Sequence, residues 1–513
     1  MWTRWLTVTA MAMAMATKLV LRHLIAVFVL GSGWGVSHGE AWTVTPEVSL
    51  TETYSSNMAL RSDELRGWIS DLAPALHLNG ASPKLKANLD YRLDSVHYAG
   101  HPELKRNLNS LASSATYEAV DKWLFIDASA NVAQRSTSSF TPVATSQGNV
   151  AANQAETRTV QIAPYVRGQW SDLAAYQLRF DTIRSQSDDN SLADSRVHQW
   201  LWTVKNASAG AKIGWFFDGN ATRVSNAVID SREDTRWRGG LTYEVLPQLT
   251  LSLSNGRERT NYASTDLETR ATPGAGIEWA PSPKTRMAAL GERRFFGNGR
   301  SILLSHQTAL TDWRYTDTRD VAVLPVLLSV PNQGTVAALM SDLLAASIPD
   351  PVARAAAVRA RMDQSGVGNA AGGGVQTARL FVNRVREASG ALIGARNTVT
   401  LSLTQRDQQS LNFVPGVTDG FSQSGDIREQ GANVSWVHRL TPLTTLTVAS
   451  ARLRREGVSA NLQADQITQT ASLSFKASQQ ATVSIGVRGM RFDSTTNGAF
   501  HENAVVGSFS QRF

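Results

Sequence analysis

The chain closes on Val505-Val506-Gly507-Ser508-Phe509-Ser510-Gln511-Arg512-Phe513. Val505, Gly507, Phe509 and Phe513 fall at even steps, with Ser508, Ser510 and Arg512 between them. Alternation of this kind puts apolar side chains on one face of a β-strand and polar ones on the other. The same period runs back through the chain. Trp42, Val44, Pro46, Val48, Leu50 and Tyr54 share one parity, as do Trp68, Leu72, Pro74, Leu76 and Leu78. Leu85, Ala87, Leu89, Tyr91 and Leu93 alternate with Lys86, Asn88, Asp90 and Arg92. Strands in soluble sheets usually run about five to six residues. Stretches of about ten match a tilted crossing of a bilayer.

The connections alternate in length. Short turns are expected at Asn79-Gly80, Ser171-Asp172, Leu246-Pro247-Gln248, Pro281-Ser282-Pro283, Thr441-Pro442-Leu443 and Ala477-Ser478-Gln479. Longer polar loops are expected near 55–66, 136–156, 186–195, 223–234, 408–428 and 494–500. Short turns on one side and long loops on the other are the habit of outer-membrane barrels. The expected fold is therefore all-β: one transmembrane antiparallel up-and-down β-barrel with a helical insertion in a long loop. A barrel must close on its last strand, so Phe513 and Phe509 are read as its assembly signal, addressed to the barrel-assembly machinery. With both termini in the periplasm the strand number is even. About 22 strands fit, with 20 and 24 as alternatives, provided 299–321 is a hairpin turning near Leu310. Trp68, Tyr98, Trp123, Trp170, Tyr176, Trp200, Trp215, Trp237, Tyr243, Trp279, Trp313 and Trp436 are expected to form interfacial girdles.

Composition narrows the class. Mean hydropathy is below zero, which excludes a helical membrane protein but not a barrel, whose two faces cancel in any average. Lys18 and Arg22 precede the apolar run Leu24 to Leu30, and Gly39 and Ala41 are spaced for cleavage after Ala41. Residues 1–41 read as a signal peptide and 42–513 as the barrel. Met11, Met13 and Met15 alternate with alanine, which points to translation starting at one of them. There is no cysteine, so disulfides, thiol catalysis and Cys-based metal sites are excluded. The formal charge of +7 is scattered rather than clustered, and gives no nucleic-acid footprint. Outer-membrane lipid and lipopolysaccharide are the expected surroundings, in the outer membrane of a Gram-negative bacterium.

Segment 322–375 stands apart. Asp350-Pro351 is an N-cap and first-turn pair, followed by an Ala- and Arg-rich helix from Val352 to Met362. The expectation is a long loop that folds inward, with Arg354, Arg359 and Arg361 lining a constriction of the lumen.

Several motifs together resemble an uncharacterised outer-membrane family associated with PEP-CTERM/exosortase systems of exopolysaccharide-making bacteria. They are Thr45-Pro46 with Thr53-Tyr54, Asn255-Gly256-Arg257-Glu258, Trp279-Ala280-Pro281-Ser282-Pro283 and Arg293-Arg294-Phe295-Phe296-Gly297-Asn298. Asp350-Pro351, Arg396-Asn397-Thr398-Val399, Arg439-Leu440-Thr441-Pro442 and Glu502-Asn503-Ala504-Val505 complete the order. The resemblance implies a large barrel acting beside exopolysaccharide and protein-sorting components, with exopolysaccharide or its export proteins as partners. It supplies no catalytic residues. Ser55-Ser56-Asn57 stands where the family commonly has an Asp after Tyr54.

No enzyme site emerges. Ser305 and His306 are neighbours on one strand, so they point to opposite faces. Asp188-Asp189 and Arg232-Glu233-Asp234 read as solvated loop charge. His97, His198, His306, His438 and His501 lack any metal-ligand spacing, and the Gly372–374 run lacks the following Lys and Ser or Thr of a phosphate loop. No metal or cofactor is expected. The functions carried forward are a pore or export component, a structural or surface-anchoring barrel, and a barrel hydrolase, with the non-enzymatic pore leading.

Overall fold

The computed structural model describes residues 41–144, 146, 148–150, 154–188, 194–207, 212–226, 231–323, 354, 377, 379–411, 420–458 and 461–513. The chain divides into Met1–Trp42 and Thr43–Phe513. The signal-peptide reading falls on residues 1–41, of which 1–40 lie outside the described ones.

The strands are β1 (Ala41–Ser55), β2 (Gly67–Ala81), β3 (Leu85–Tyr98), β4 (Arg106–Val120), β5 (Leu124–Ser136), β6 (Gln154–Trp170), β7 (Ala174–Ser187) and β8 (Ser195–Asn206). Next come β9 (Ile213–Asn226), β10 (Arg232–Leu246), β11 (Leu249–Thr260), β12 (Glu268–Ala271), β13 (Gly274–Ser282), β14 (Thr285–Arg294), β15 (Gly297–Gln307) and β16 (Thr311–Ala322). The last are β17 (Phe381–Ile393), β18 (Asn397–Ser410), β19 (Ile427–Arg439), β20 (Thr444–Gly457), β21 (Leu462–Lys476), β22 (Ala481–Ser494) and β23 (Gly498–Arg512). A short helix α1 (Gly420–Ser424) precedes β19. β12 and β13 both pair with β11 and make one crossing, so the 23 strands form 22 crossings. Every pairing is antiparallel between neighbours, and β1 pairs with β23 to close the cylinder. The Phe513 N–H donates to the Pro46 carbonyl at 2.9 Å, carrying the seam to the last residue.

The wall is inverted relative to a soluble core. Val505, Phe509 and Phe513 are exposed, whereas Glu502 and Ala504 on the other face are buried. On β11, Leu251 and Leu253 face out while Glu258 is fully buried. An apolar outside and a polar inside suit a cylinder standing in lipid around a polar lumen. One end carries short turns, such as 121–123, 171–173, 308–310 and 440–443; the other carries the long loops. The β15–β16 hairpin turns at 308–310, as the strand count required. Connections 295–296 and 495–497 on the loop side are as short as the turns, so the longer loop expected near 494–500 is corrected to a three-residue turn.

Prolines account for interruptions of the ladder. Pairing lapses without a change of register at Pro74 in β2 and Pro164 in β6, and Pro273 separates β12 from β13. Each lacks the N–H the ladder needs. One expected turn is corrected here. Asn79 and Gly80 lie within β2, paired with Asn88 and Ala87. The chain turns instead at 82–84, where Pro83 stops the strand and Ser82 Oγ accepts from the Leu85 N–H at 3.1 Å.

Most of the expected girdle faces lipid, including Trp123, Trp170, Trp215, Tyr243, Trp279, Trp313 and Trp436 near the turns. Gly390 lies directly opposite Trp313, where a Cβ would come within 2.5 Å of the ring. Glycine there lets the indole lie flat across the neighbouring strand. Tyr98 is the correction: it is buried on the inner face, its hydroxyl donating to the Gly148 carbonyl at 2.9 Å.

Candidate functional site

The lumen is lined by inward residues of alternate parity, and a cylinder of this strand number is too wide for side chains alone to fill. Toward the loops, buried carboxylates gather arginines. Glu502 accepts two bonds from Arg488, at 2.8 and 3.1 Å, one from Ser55 Oγ at 2.7 Å and one from Asn149 Nδ2 at 3.0 Å. Glu429 sits between Arg406 at 2.8 Å and Arg455 at 2.9 Å. Glu258 takes Arg294 Nε at 2.7 Å and the Phe295 N–H at 3.0 Å. Glu292 takes Arg236 at 2.8 Å and Arg238 at 2.9 Å. Multiple bonds to each acid satisfy charges that would otherwise be costly to bury.

These knots join motifs that lie far apart in sequence. Glu258 of Asn255-Gly256-Arg257-Glu258 meets Arg294 of Arg293-Arg294-Phe295-Phe296. Ser55, standing where the resembled family has an acid, donates to Glu502 of Glu502-Asn503-Ala504-Val505. At the turn end, Asn397 accepts from Trp436 Nε1 at 3.0 Å, and Arg439 Nη2 donates to the Ala395 carbonyl at 2.7 Å.

The loop between β5 and β6 folds inward. Phe140 packs with Met490, Phe492 and Phe500 on the inner wall and with Leu60 of the β1–β2 loop. Its backbone is satisfied by that wall: Arg455 donates to the Ser139 carbonyl at 3.1 Å and Ser494 to the Phe140 carbonyl at 3.1 Å. Gln466 both accepts from the Val143 N–H at 2.9 Å and donates to its carbonyl at 3.0 Å. Asn149 ties the returning limb to Glu502. The loop thus follows the inner wall from β5 past the seam to β20. This inward course corrects the expectation of an external polar loop at 136–156. A second cover forms where Tyr262 of the β11–β12 loop joins Ile183, Val197, Val224 and Leu380. Burial pushes the Tyr262 hydroxyl well above its ordinary pKa, so it stays protonated.

Toward the turns the lumen opens into a cavity of about 960 Å³, whose wall includes Arg167, Lys205, Phe216, Asp218, Arg236 and Arg238. Arg238 pairs with Asp218 at 3.0 Å. Arg236 Nε is buried without a hydrogen-bond partner. Arg167 lies over the Phe125 ring at 4.3 Å, and Phe125 stacks on Tyr165 at 5.1 Å. Among the described residues neither Arg167 nor Lys205 meets a carboxylate.

The residues expected from sequence fall as follows. Phe509 and Phe513 sit outward at the closing seam. Of the expected constriction, Arg354 is helical, while Arg359 and Arg361 lie outside the described residues, as does most of 322–375. Ser305 and His306 face opposite sides of β15, where His306 Nδ1 meets Thr285 Oγ1 at 2.8 Å. The cavity lining was not singled out from sequence; its signal was the inward parity of Arg167 on β6 and Lys205 on β8.

A closed 22-crossing cylinder with an apolar outer belt and a charged interior is an outer-membrane β-barrel. No protein-family model matches the chain, and no curated protein matches it. Among solved structures, a mutant of the ferric enterobactin receptor PfeA from Pseudomonas aeruginosa is similar, at 9% identity and a TM-score of 0.49, over 92% of this chain and 80% of that one. The FrpB iron transporter from Neisseria meningitidis is similar at 9% identity and 0.47, over 91% and 81%. OccK3 from Pseudomonas aeruginosa follows at 10% and 0.31, over 92% and 96%.

Proposed function

We propose that this barrel is a pore or export component for anionic, saccharide-type solutes, serving an exopolysaccharide and PEP-CTERM protein-sorting system. The observation that carries the solute half is the cavity wall at the turn end. Arg167, over the Phe125–Tyr165 stack, and Lys205, on the same cavity wall, meet no carboxylate among the described residues. Cations favour carboxylate or sulfate groups, and aromatic faces suit the apolar faces of sugar rings. The pathway half rests on the sequence resemblance alone.

The test is conductance in planar bilayers under a salt gradient. The wild-type pore is expected to prefer chloride over potassium, and Arg167→Gln with Lys205→Gln to lower that preference severalfold. A cation-selective wild type, or unchanged selectivity in the double variant, overturns the solute half. For the pathway half, deletion of the gene should raise polymer retained in the periplasm relative to polymer secreted. An unchanged ratio removes it.

A further inference from the structure

A row of arginines crosses the outer face of the wall near the loops. Arg300 on β15 stands directly opposite Arg319 on β16, and Arg319 directly opposite Arg384 on β17. The row continues through Asp407 on β18 to Arg428 on β19. All five share the face of Leu304, Trp313, Leu392, Leu403 and Trp436, the exposed apolar side chains of the same strands. This is the lipid face, not the lumen.

Like charges directly opposite each other on a sheet repel. One step toward the turns, Asp317 answers them in part, with Arg384 Nη2 at 3.1 Å, Arg300 Nε at 3.3 Å and Arg386 Nε at 4.0 Å. Asp407 answers Arg428 at 2.8 Å. Arg319 donates to the carbonyls of Asn298 at 2.8 Å and Phe296 at 3.3 Å, and pairs with no acid among the described residues. Five arginines therefore face two aspartates on these strands. Arg384 makes two bonds to Asp317, at 3.1 and 3.3 Å, but the Nε atoms of Arg300 and Arg386 are buried without a hydrogen bond, close to Asp317 but not aligned with it. A patch of this kind calls for an anion carrying several acceptor oxygens, and guanidinium matches phosphate in a two-pronged fashion.

We propose that the outer face of β15–β19 is a docking surface for the phosphorylated headgroups of lipopolysaccharide in the outer leaflet, with Arg300, Arg319 and Arg384 as the phosphate ligands. Position selects the lipid over a soluble anion. The row lies on the same outward face as, and immediately above, an apolar strip. A glycolipid with phosphates above its acyl chains meets both at once.

The full chain is reconstituted in phosphatidylcholine nanodiscs doped with lipopolysaccharide, and retained glycolipid per barrel is read by native mass spectrometry. Arg319→Gln with Arg384→Gln should retain at least fivefold less than wild type. Arg223→Gln, on the outer face of β9 and already paired with Glu233 at 2.7 Å, should retain as much as wild type. Dephosphorylated lipopolysaccharide should bind wild type no better than the double variant does. Asp317→Asn should retain more, a gain that misfolding could not mimic. Equal retention by wild type and double variant overturns the proposal. So does displacement of the lipid by millimolar inorganic phosphate, which would make this a free-anion site. Failure of Asp317→Asn to retain more, should the double variant not fold, overturns it equally.

Discussion

The lipid-facing wall over β7–β10 and that over β15–β17 follow one alternation but end differently toward the loops. On β7–β10 the outward positions remain aromatic well above the turns. Phe180 packs on Trp200 at 4.7 Å and Phe217 on Trp237 at 6.2 Å. Trp200 lies six residues from the turn end of its strand and Trp237 nine, and the first outward charges, Arg184, Arg196 and Arg223, come at ten. On β15–β17 charge comes sooner, with Asp317 at six residues, Arg300 and Arg386 at seven and Arg319 at eight, whereas Asp407 on β18 and Arg428 on β19 come at ten and eleven. Three residues are about 10 Å of strand at about 3.3 Å per residue. The apolar belt is thus lower on one side of the barrel, and the bilayer must thin or tilt to follow it.

The comparison can be broken at three points. The largest effect is expected from Leu401→Arg, which sets a cation four residues above the turn on β18, below the arginine row. If hydrocarbon fills that level, unfolding from lipid vesicles should show a loss of about 2–4 kcal/mol. A loss under about 1 kcal/mol would mean that the belt is lower still. Next, Trp200→Ala should cost about 1–2 kcal/mol through the lost aromatic pair and buried area. Arg384→Ala, nine residues above the turn on the other side, should cost less than about 1 kcal/mol, because it also relieves repulsion from Arg319. Equal losses would erase the distinction between the two sides. The smallest effect is expected from Asp317→Asn. In uncharged lipid it should destabilise by up to about 1 kcal/mol, and added lipopolysaccharide should reduce that loss. A loss indifferent to lipid charge would leave the arginines as ordinary solvated surface.

Much of the barrel was legible because its two solvents, lipid and lumen, impose a period of two on every strand. The parity argument from Phe513 depended on that period, and it placed the hairpin near Leu310 and the number of crossings. Asn79-Gly80 misled because Asn-Gly favours tight hairpins, while the proline that ends β2 lies further on. Tyr98 carried the girdle's residue type without its orientation. The inward course of the β5–β6 loop could not be read, since its partners Arg455, Gln466 and Ser494 lie 316, 323 and 354 residues away. The cavity cations and the arginine row failed for a related reason. Each residue is an unremarkable polar position on its own strand, and only the register sets Arg300, Arg319 and Arg384 side by side.

The bond between Ser55 and Glu502 spans 447 residues. Closing a free loop of that length in one step would cost several kcal/mol of chain entropy, growing as the logarithm of its length. Hairpins forming in turn between neighbours shorten the effective loop, so that the first and last strands meet only when the others are in place. Until then β1 and β23 each keep an unpaired edge of N–H and C=O groups, which lipid does not tolerate. Completion of the wall is therefore the moment at which insertion becomes stable, and the Glu502–Arg488–Ser55–Asn149 cluster acts as a latch that engages last. It fastens the seam and the inward loop in one event, so this protein's lumen takes its covered form only once its cylinder is shut.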